Sequence, residues 1–277
     1  MTVLLLWVPN FKKIFLWGGA LVTSCVFGLI SKRIDLESIF FILLLVLFAY
    51  CLGNQKKAVW MRVLSGIAMF GLSAGLEMHA FPGFNNVHVL DKIKISPDGI
   101  PFSLYLNFDK TSVGIIILGF LHQRITKKSE WIKMIRATLP MAGLLIFILL
   151  CCSFLFNYVR FEPKLPDSLL IWSCTNLLFV CTAEEGFFRG FIQKYLCVAL
   201  QRFKYGNFVA IVIASILFGL AHYPGGSLYV LLATIAGLGY GFIYFRTKRI
   251  EASIITHFSL NLIHFLFFTY PALANSV

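Results

Sequence analysis

The chain has 277 residues, of which 59% are hydrophobic and only 13% charged, and its mean hydropathy is +0.84. A soluble domain cannot bury that much apolar surface, so the composition indicates a polytopic helical membrane protein whose surroundings are the lipid bilayer. The formal net charge of +12 does not point to nucleic acid, because Lys and Arg fall in short clusters between apolar runs, the pattern of cytoplasmic loops.

The apolar runs lie at roughly 14–30, 38–53, 59–79, 111–122, 138–158, 168–185, 207–222, 227–245 and 251–270. They predict an all-α transmembrane bundle of about eight to nine spans, with the short run at 111–122 the weakest of them. No small-residue cleavage site follows the first run, which therefore reads as a span and not as a removed signal peptide. Cys25, Cys51, Cys151, Cys152, Cys174, Cys181 and Cys197 lie in or beside these runs without CxxC spacing, so they read as small packing residues.

Basic residues set the expected orientation. Lys12 and Lys13 precede the first span, Lys56, Lys57 and Arg62 follow the second, and Arg124, Lys127, Lys128, Lys133 and Arg136 follow the fourth. Arg189, Lys194, Arg202 and Lys204 follow the sixth, and Arg246, Lys248 and Arg249 the eighth. Clusters on alternate loops put the N-terminus in the cytoplasm and the C-terminus outside. Many spans without a targeting signal fit a multi-pass protein of a bacterial inner membrane.

Residues 80–110 form the one long polar connection. Pro82-Gly83, Pro97, Gly99 and Pro101 punctuate it, which predicts a loop with turns and a short interfacial helix. Spans in residues 1–137 contain few polar groups, whereas 168–270 hold nearly all the intramembrane polar residues that need explaining. The chain is therefore divided into an N-terminal transmembrane region, 1–137, and a C-terminal core, 138–277, with the active site inside the latter.

Three polar motifs fall in that core. The first ends an apolar run at Glu184-Glu185-Gly186-Phe187-Phe188-Arg189. Carboxylates inside spans are costly and face a bundle interior, a cavity or a partner. On a helix Glu185 and Arg189 are i and i+4 and can pair, whereas Glu184 points about 100° away with no cation at i+3 or i+4. One carboxylate is then structural and the other free for chemistry. The second motif is Phe218-Gly219-Leu220-Ala221-His222 and the third His257-Phe258-Ser259-Leu260-Asn261, in which His257 and Asn261 share a face. Taken singly, each has a bland reading: headgroup-level charges for the carboxylates, and interhelical glue for a membrane His or Asn.

EExxxR, FxxxH and HxxxN on successive spans, in that order, resemble the CPBP family, the CAAX proteases and bacteriocin-processing proteins also called Abi proteins. The resemblance covers roughly residues 168–265 and leaves the first 137 outside it. It implies an intramembrane endopeptidase in which Glu184, His222, His257 and Asn261 are catalytic, with Glu185 and Arg189 as structural support. Direct attack by water is the expected chemistry, since no Ser or Cys stands in a recognisable nucleophile arrangement. Glu184 would activate the water, His222 orient it, and His257 with Asn261 donate to the oxyanion. The implied substrate is a membrane-anchored peptide or protein, prenylated or otherwise lipidated, or a bacteriocin-like peptide. Family members are often labelled metalloproteases, and two His with one or two Glu have the chemistry to hold zinc. No HExxH helix is present, and the Glu/His/Asn set works without a metal, so no cofactor is expected.

A long sixth helix, continuing to about residue 202, would put Glu184 and His222 at one height on either side of a turn near Tyr205-Gly206. His257 and Asn261 would sit near mid-membrane, in a site open to the cytoplasm. A proton- or ion-coupled transporter is the alternative, since buried Glu and His also make proton relays. A non-enzymatic membrane scaffold is the third reading.

Overall fold

The computed structural model describes residues 1–8 and 13–276; Lys12 lies outside the described residues. The chain is a helical bundle carrying one small antiparallel sheet. Its elements are α1 (Thr2–Leu5), α2 (Lys13–Ile30), α3 (Leu36–Gly53), α4 (Val59–Glu77), β1 (Val87–Ile93), β2 (Phe102–Leu106), α5 (Phe108–Leu121) and α6 (Lys128–Leu155). A long helix follows over 169–199, in which the α-helical pieces α7 (Leu169–Thr175), α8 (Thr182–Glu185) and α9 (Lys194–Ala199) alternate with π-helical stretches Asn176–Cys181 and Gly186–Gln193. The chain ends with α10 (Gly206–Leu220), α11 (Ser227–Thr247) and α12 (Ile250–Phe267).

Among the described residues, five helices are long and apolar enough to cross a membrane: α3, α4, α6, α11 and α12. Their outward faces carry large apolar side chains such as Leu43, Ile67, Phe147 and Leu231, all exposed, while Ser38, Ser73, Thr138, Ser253 and Thr256, and Ser215 on α10, are buried. That inversion is what lipid demands, because polar side chains find partners only inside the bundle. Several bond the carbonyl one turn back, as Ser215 does to Ile211 O and Thr256 to Ala252 O. The short run at 111–122 becomes α5, which is buried nearly all round from Thr111 to Leu118. It is the bundle's central helix. At about 1.5 Å per residue its 14 residues fall well short of a hydrocarbon core of roughly 30 Å, and packing by α3, α4 and the long helix covers it instead.

Residues 80–110 differ from expectation. In place of a loop with an interfacial helix, they form a β-hairpin with Val87 opposite Leu106 and Ile93 opposite Phe102. Register shifts interrupt it between His88 and Leu90 and between Leu90 and Ile93. Such bulges break the alternation of apolar and polar residues by which a strand is recognised.

Hydrogen bonds between loops define the two ends of the bundle. At the hairpin end, Asp35 N–H donates to Gly83 O (3.1 Å), Leu273 N–H to Tyr158 O (3.0 Å), Ala274 N–H to Asp98 O (3.0 Å) and Glu162 N–H to Phe267 O (2.8 Å). At the other end, Trp7 Nε1–H and Ile125 N–H both donate to Glu251 Oε1, at 3.0 and 2.7 Å, and Arg249 pairs with Glu130 at 3.2 Å. Charge divides along the same line. Lys56, Lys57, Arg62, Arg124, Lys127, Lys128, Lys133, Arg136, Arg202, Lys204, Arg246, Lys248 and Arg249 sit at the second end, with Glu130 and Glu251 as its carboxylates. At the hairpin end Lys32, Arg33, Lys92, Lys94, Lys110, Arg160 and Lys164 are interspersed with Asp35, Glu37, Glu77, Asp91, Asp98, Asp109, Glu162 and Asp167.

Candidate active site

The long helix carries the paired carboxylates where its winding changes. Thr182 N–H bonds Leu177 O and Lys194 N–H bonds Arg189 O, both i to i+5. π-helical turns of this kind are uncommon and gather at functional sites. The segment is held against α5 by backbone contact. A Cβ on Gly114 would stand 2.7 Å from Ala183 Cα, and one on Gly186 would stand 3.4 Å from Gly114 Cα. Small residues permit that approach, which fixes Glu184 and Glu185 within the bundle.

Glu185 and Arg189 pair as their spacing predicted, at 3.1 Å, and both are completely buried. The guanidinium also donates to Gly237 O at 3.1 Å and lies 4.4 Å from the centre of the Phe218 ring. Glu185 has a further partner that spacing did not reveal. His257 Nδ1 lies 2.9 Å from the same Oε1 that receives Arg189. A carboxylate accepts, so the Nδ1–H belongs to this bond and Nε2 is the nitrogen left free. The imidazole also stacks on Tyr240, with ring centres 4.8 Å apart and planes at 19°.

Glu184 is buried with its Oε2 lacking any hydrogen-bond partner among the described residues. His222, at the end of α10, donates from Nδ1 to Phe218 O at 2.7 Å, which again leaves Nε2 free. Asn261 Nδ2 donates to Asn176 Oδ1 at 3.1 Å and lies 3.7 Å from Cys181 Sγ. Cys181 donates to the same Asn176 oxygen at 3.3 Å.

Glu184, His222, His257 and Asn261 come from three separate parts of the sequence and line one cavity of about 440 Å³. Glu185 and Arg189 lie behind it. Sequence reasoning missed Asn176, a polar residue within the apolar run before Glu184, and the tyrosines of the wall, Tyr158, Tyr229, Tyr240 and Tyr270. Residues 80–110 read from the sequence as a connector or as a lid or substrate-docking loop, and Phe102, Ser103, Leu104, Tyr105 and Asn107 of the hairpin region do line the cavity. Together with Tyr158, Gly225 and Pro271 they place the cavity toward the hairpin end. Two expectations therefore conflict. The cavity lies toward the end opposite the basic loops, so a cytoplasmic place for those loops and a site open to the cytoplasm do not go together. The reason is connectivity: His222 closes α10 at the end away from the basic turn 200–205, and the loops gathered beside it are those of the hairpin end.

Among the described residues no three His, Cys, Asp or Glu converge in a ligand arrangement. Glu185 Oε1 is committed to Arg189 and His257, and the cavity is lined by one carboxylate, Glu184, with His222, His257 and His264.

What the arrangement offers is a free carboxylate, two oriented imidazoles and a carboxamide around one buried space, the parts needed to activate a water and to stabilise an oxyanion. No match was found among curated proteins or among solved structures. Residues 166–263, the stretch that contains all three motifs and the four cavity residues, match the model of a family described as type II CAAX prenyl endopeptidase Rce1-like.

Proposed function

We propose that the chain is an intramembrane endopeptidase of the glutamate type that hydrolyses a peptide bond of a membrane-anchored peptide or protein, lipidated or not. It is read as a multi-pass protein of a bacterial inner membrane, crossing the bilayer with about eight to nine spans, N-terminus in the cytoplasm. Residues 138–277 are the catalytic core and 1–137 the N-terminal region, the latter lending its hairpin to the cavity.

The observation that carries the reading is the contrast between adjacent carboxylates. Glu185 takes both Arg189 and His257 on Oε1 and stands behind the cavity, while Glu184 lines the cavity and its side chain forms no hydrogen bond or ion pair among the described residues. A structural acid would be expected in the first state and a base in the second. In the proposed reaction Glu184 takes a proton from water as the oxygen attacks the scissile carbonyl. His222 Nε2, the acceptor left by the Nδ1 bond to Phe218, holds the same water in line. The oxyanion is met by the second amide N–H of Asn261 and by His257, whose Nε2 donates when the ring carries both protons and Glu185 balances its charge. Glu184 then returns its proton to the leaving amine. No resident metal enters this scheme.

The test compares peptide termini in membranes carrying wild type and Glu184→Gln at equal expression. New termini confined to the wild type are expected. Identical termini in the two membranes would remove the protease reading and favour the transporter or scaffold.

A further inference from the structure

The site's position along the bundle bears on what reaches it. The inference rests on the endopeptidase reading for its chemistry, but its geometry is independent of that reading. The cavity is bordered by β2, by the loop that follows α6 and by Tyr270, all at the end where Lys and Arg are interspersed with carboxylates. Three of that end's cations are in ion pairs: Lys110 with Glu77, Arg160 with Asp98 and Lys164 with Glu162. The opposite end carries an excess of Lys and Arg on every loop, the asymmetry that keeps a loop in the cytoplasm. The cavity wall has a second property. Among the described residues lining it there is no Lys or Arg, and the wall is largely aromatic and aliphatic with Glu184 as its carboxylate. A peptide C-terminus brings a carboxylate, which a site captures with a cation or a nest of backbone N–H groups. Next to Glu184, and with no Lys or Arg in the wall to pair with it, such an end finds no partner of the usual kind.

We propose that the cavity opens to the non-cytoplasmic face of the membrane and takes an internal, apolar segment of a translocated peptide or membrane protein. A C-terminal tail presented from the cytoplasm is not its substrate. The cleaved bond lies at or just beneath the outer surface, and the substrate chain runs on past the site in both directions.

Two single-cysteine additions test the orientation without reference to activity. Asn275→Cys reports on the hairpin end and Gln201→Cys on the basic end, and both positions are exposed. Each variant is treated with a membrane-impermeant maleimide in right-side-out and in inside-out vesicles from the expressing cells, with the wild-type chain setting the background from its native cysteines. Labelling of Asn275→Cys only in right-side-out vesicles, with Gln201→Cys labelled only in inside-out vesicles, is expected. Labelling of Asn275→Cys only in inside-out vesicles, in both preparations or in neither overturns the proposal. The substrate half is read from where Glu184-dependent termini fall. Termini in non-cytoplasmic, internal segments are expected. Termini in cytoplasmic segments, or loss of a few residues from a C-terminus, overturn the proposal while leaving the endopeptidase reading intact. Absence of any such terminus, with the expected labelling, overturns the endopeptidase reading and the substrate half together and leaves the orientation standing.

Discussion

Replacing Arg189 with Met separates support from catalysis most sharply. Met roughly fills the space of the arginine stem but supplies no charge and no donor. The substitution removes the 3.1 Å bond to Glu185, the 3.1 Å bond to Gly237 O and the cation over the Phe218 ring. Glu185 is then left fully buried with His257 as its one remaining partner. Breaking a buried pair from one side costs about 3–5 kcal/mol, because the other charge is stranded. Folded proteins are stable by only about 5–15 kcal/mol, so the loss should be severe. In mild detergent we expect Arg189→Met to unfold well below the wild-type temperature, followed by Trp fluorescence, and to lose most of its monodisperse fraction. The double variant Glu185→Gln/Arg189→Met removes both charges while keeping an acceptor for His257. It should recover a large part of the loss, since a buried pair replaced on both sides is often nearly neutral. The reasoning is refuted if Arg189→Met melts with the wild type, or if the double variant is no more stable than the single one.

The neighbouring carboxylate should behave in the opposite way. Glu184→Gln leaves folded yield and unfolding temperature near wild type, because its Oε2 has no partner to lose, yet it lowers kcat by about 10²–10⁴ in a peptide-release assay. Asn261→Ala should lower kcat by about 10²–10³ with folded protein retained, the effect of losing one oxyanion donor. Asn176→Ala, acting through Asn261, should lower kcat less and leave KM unchanged, whereas Asn176→Asp, which keeps an acceptor at Oδ1, should restore part of the rate. Gly114→Ala should cost about 1–3 kcal/mol by overpacking, since the new Cβ meets Ala183 backbone at 2.7 Å, and it should lower thermal stability. Gly71→Ala on α4, with nothing within 4 Å of its Cβ, is the matched control and should leave the unfolding temperature unchanged or raise it.

The parts of the site legible in the sequence are those set by spacing on a helix. Glu185 and Arg189 could be paired from four residues of separation, and the pair forms even though the helix slips into π-helical turns at Gly186. Glu184 could be set apart from its neighbour by the same arithmetic. Contacts between helices were not legible, because nothing local encodes them. His257 is 72 residues from Glu185 and Asn261 is 85 from Asn176, and each meets its partner only once α12 packs beside the long helix. The hairpin was hidden for a local reason, its bulges.

The end of the bundle toward which the cavity lies was not legible for a different reason, which also shows how the two halves of the chain depend on each other. Mid-membrane depth follows from counting residues from a turn, but depth does not say which side a cavity opens toward. That is decided by what covers each end. At the basic end the carboxylate of Glu251 ties α12 to Trp7 and to Ile125, and His122 Nε2 lies 2.7 Å from Gly190 O, so the polar groups there fasten the helices to each other. At the hairpin end the chain leaves the bundle as loops and strands, and their side chains border an open space above Glu184 and His222. The catalytic motifs lie in residues 166–263, but the approach to them is shaped by residues 100–107, more than fifty positions earlier. On the endopeptidase reading proposed above, substrate choice is governed in part by a segment that the three motifs do not include.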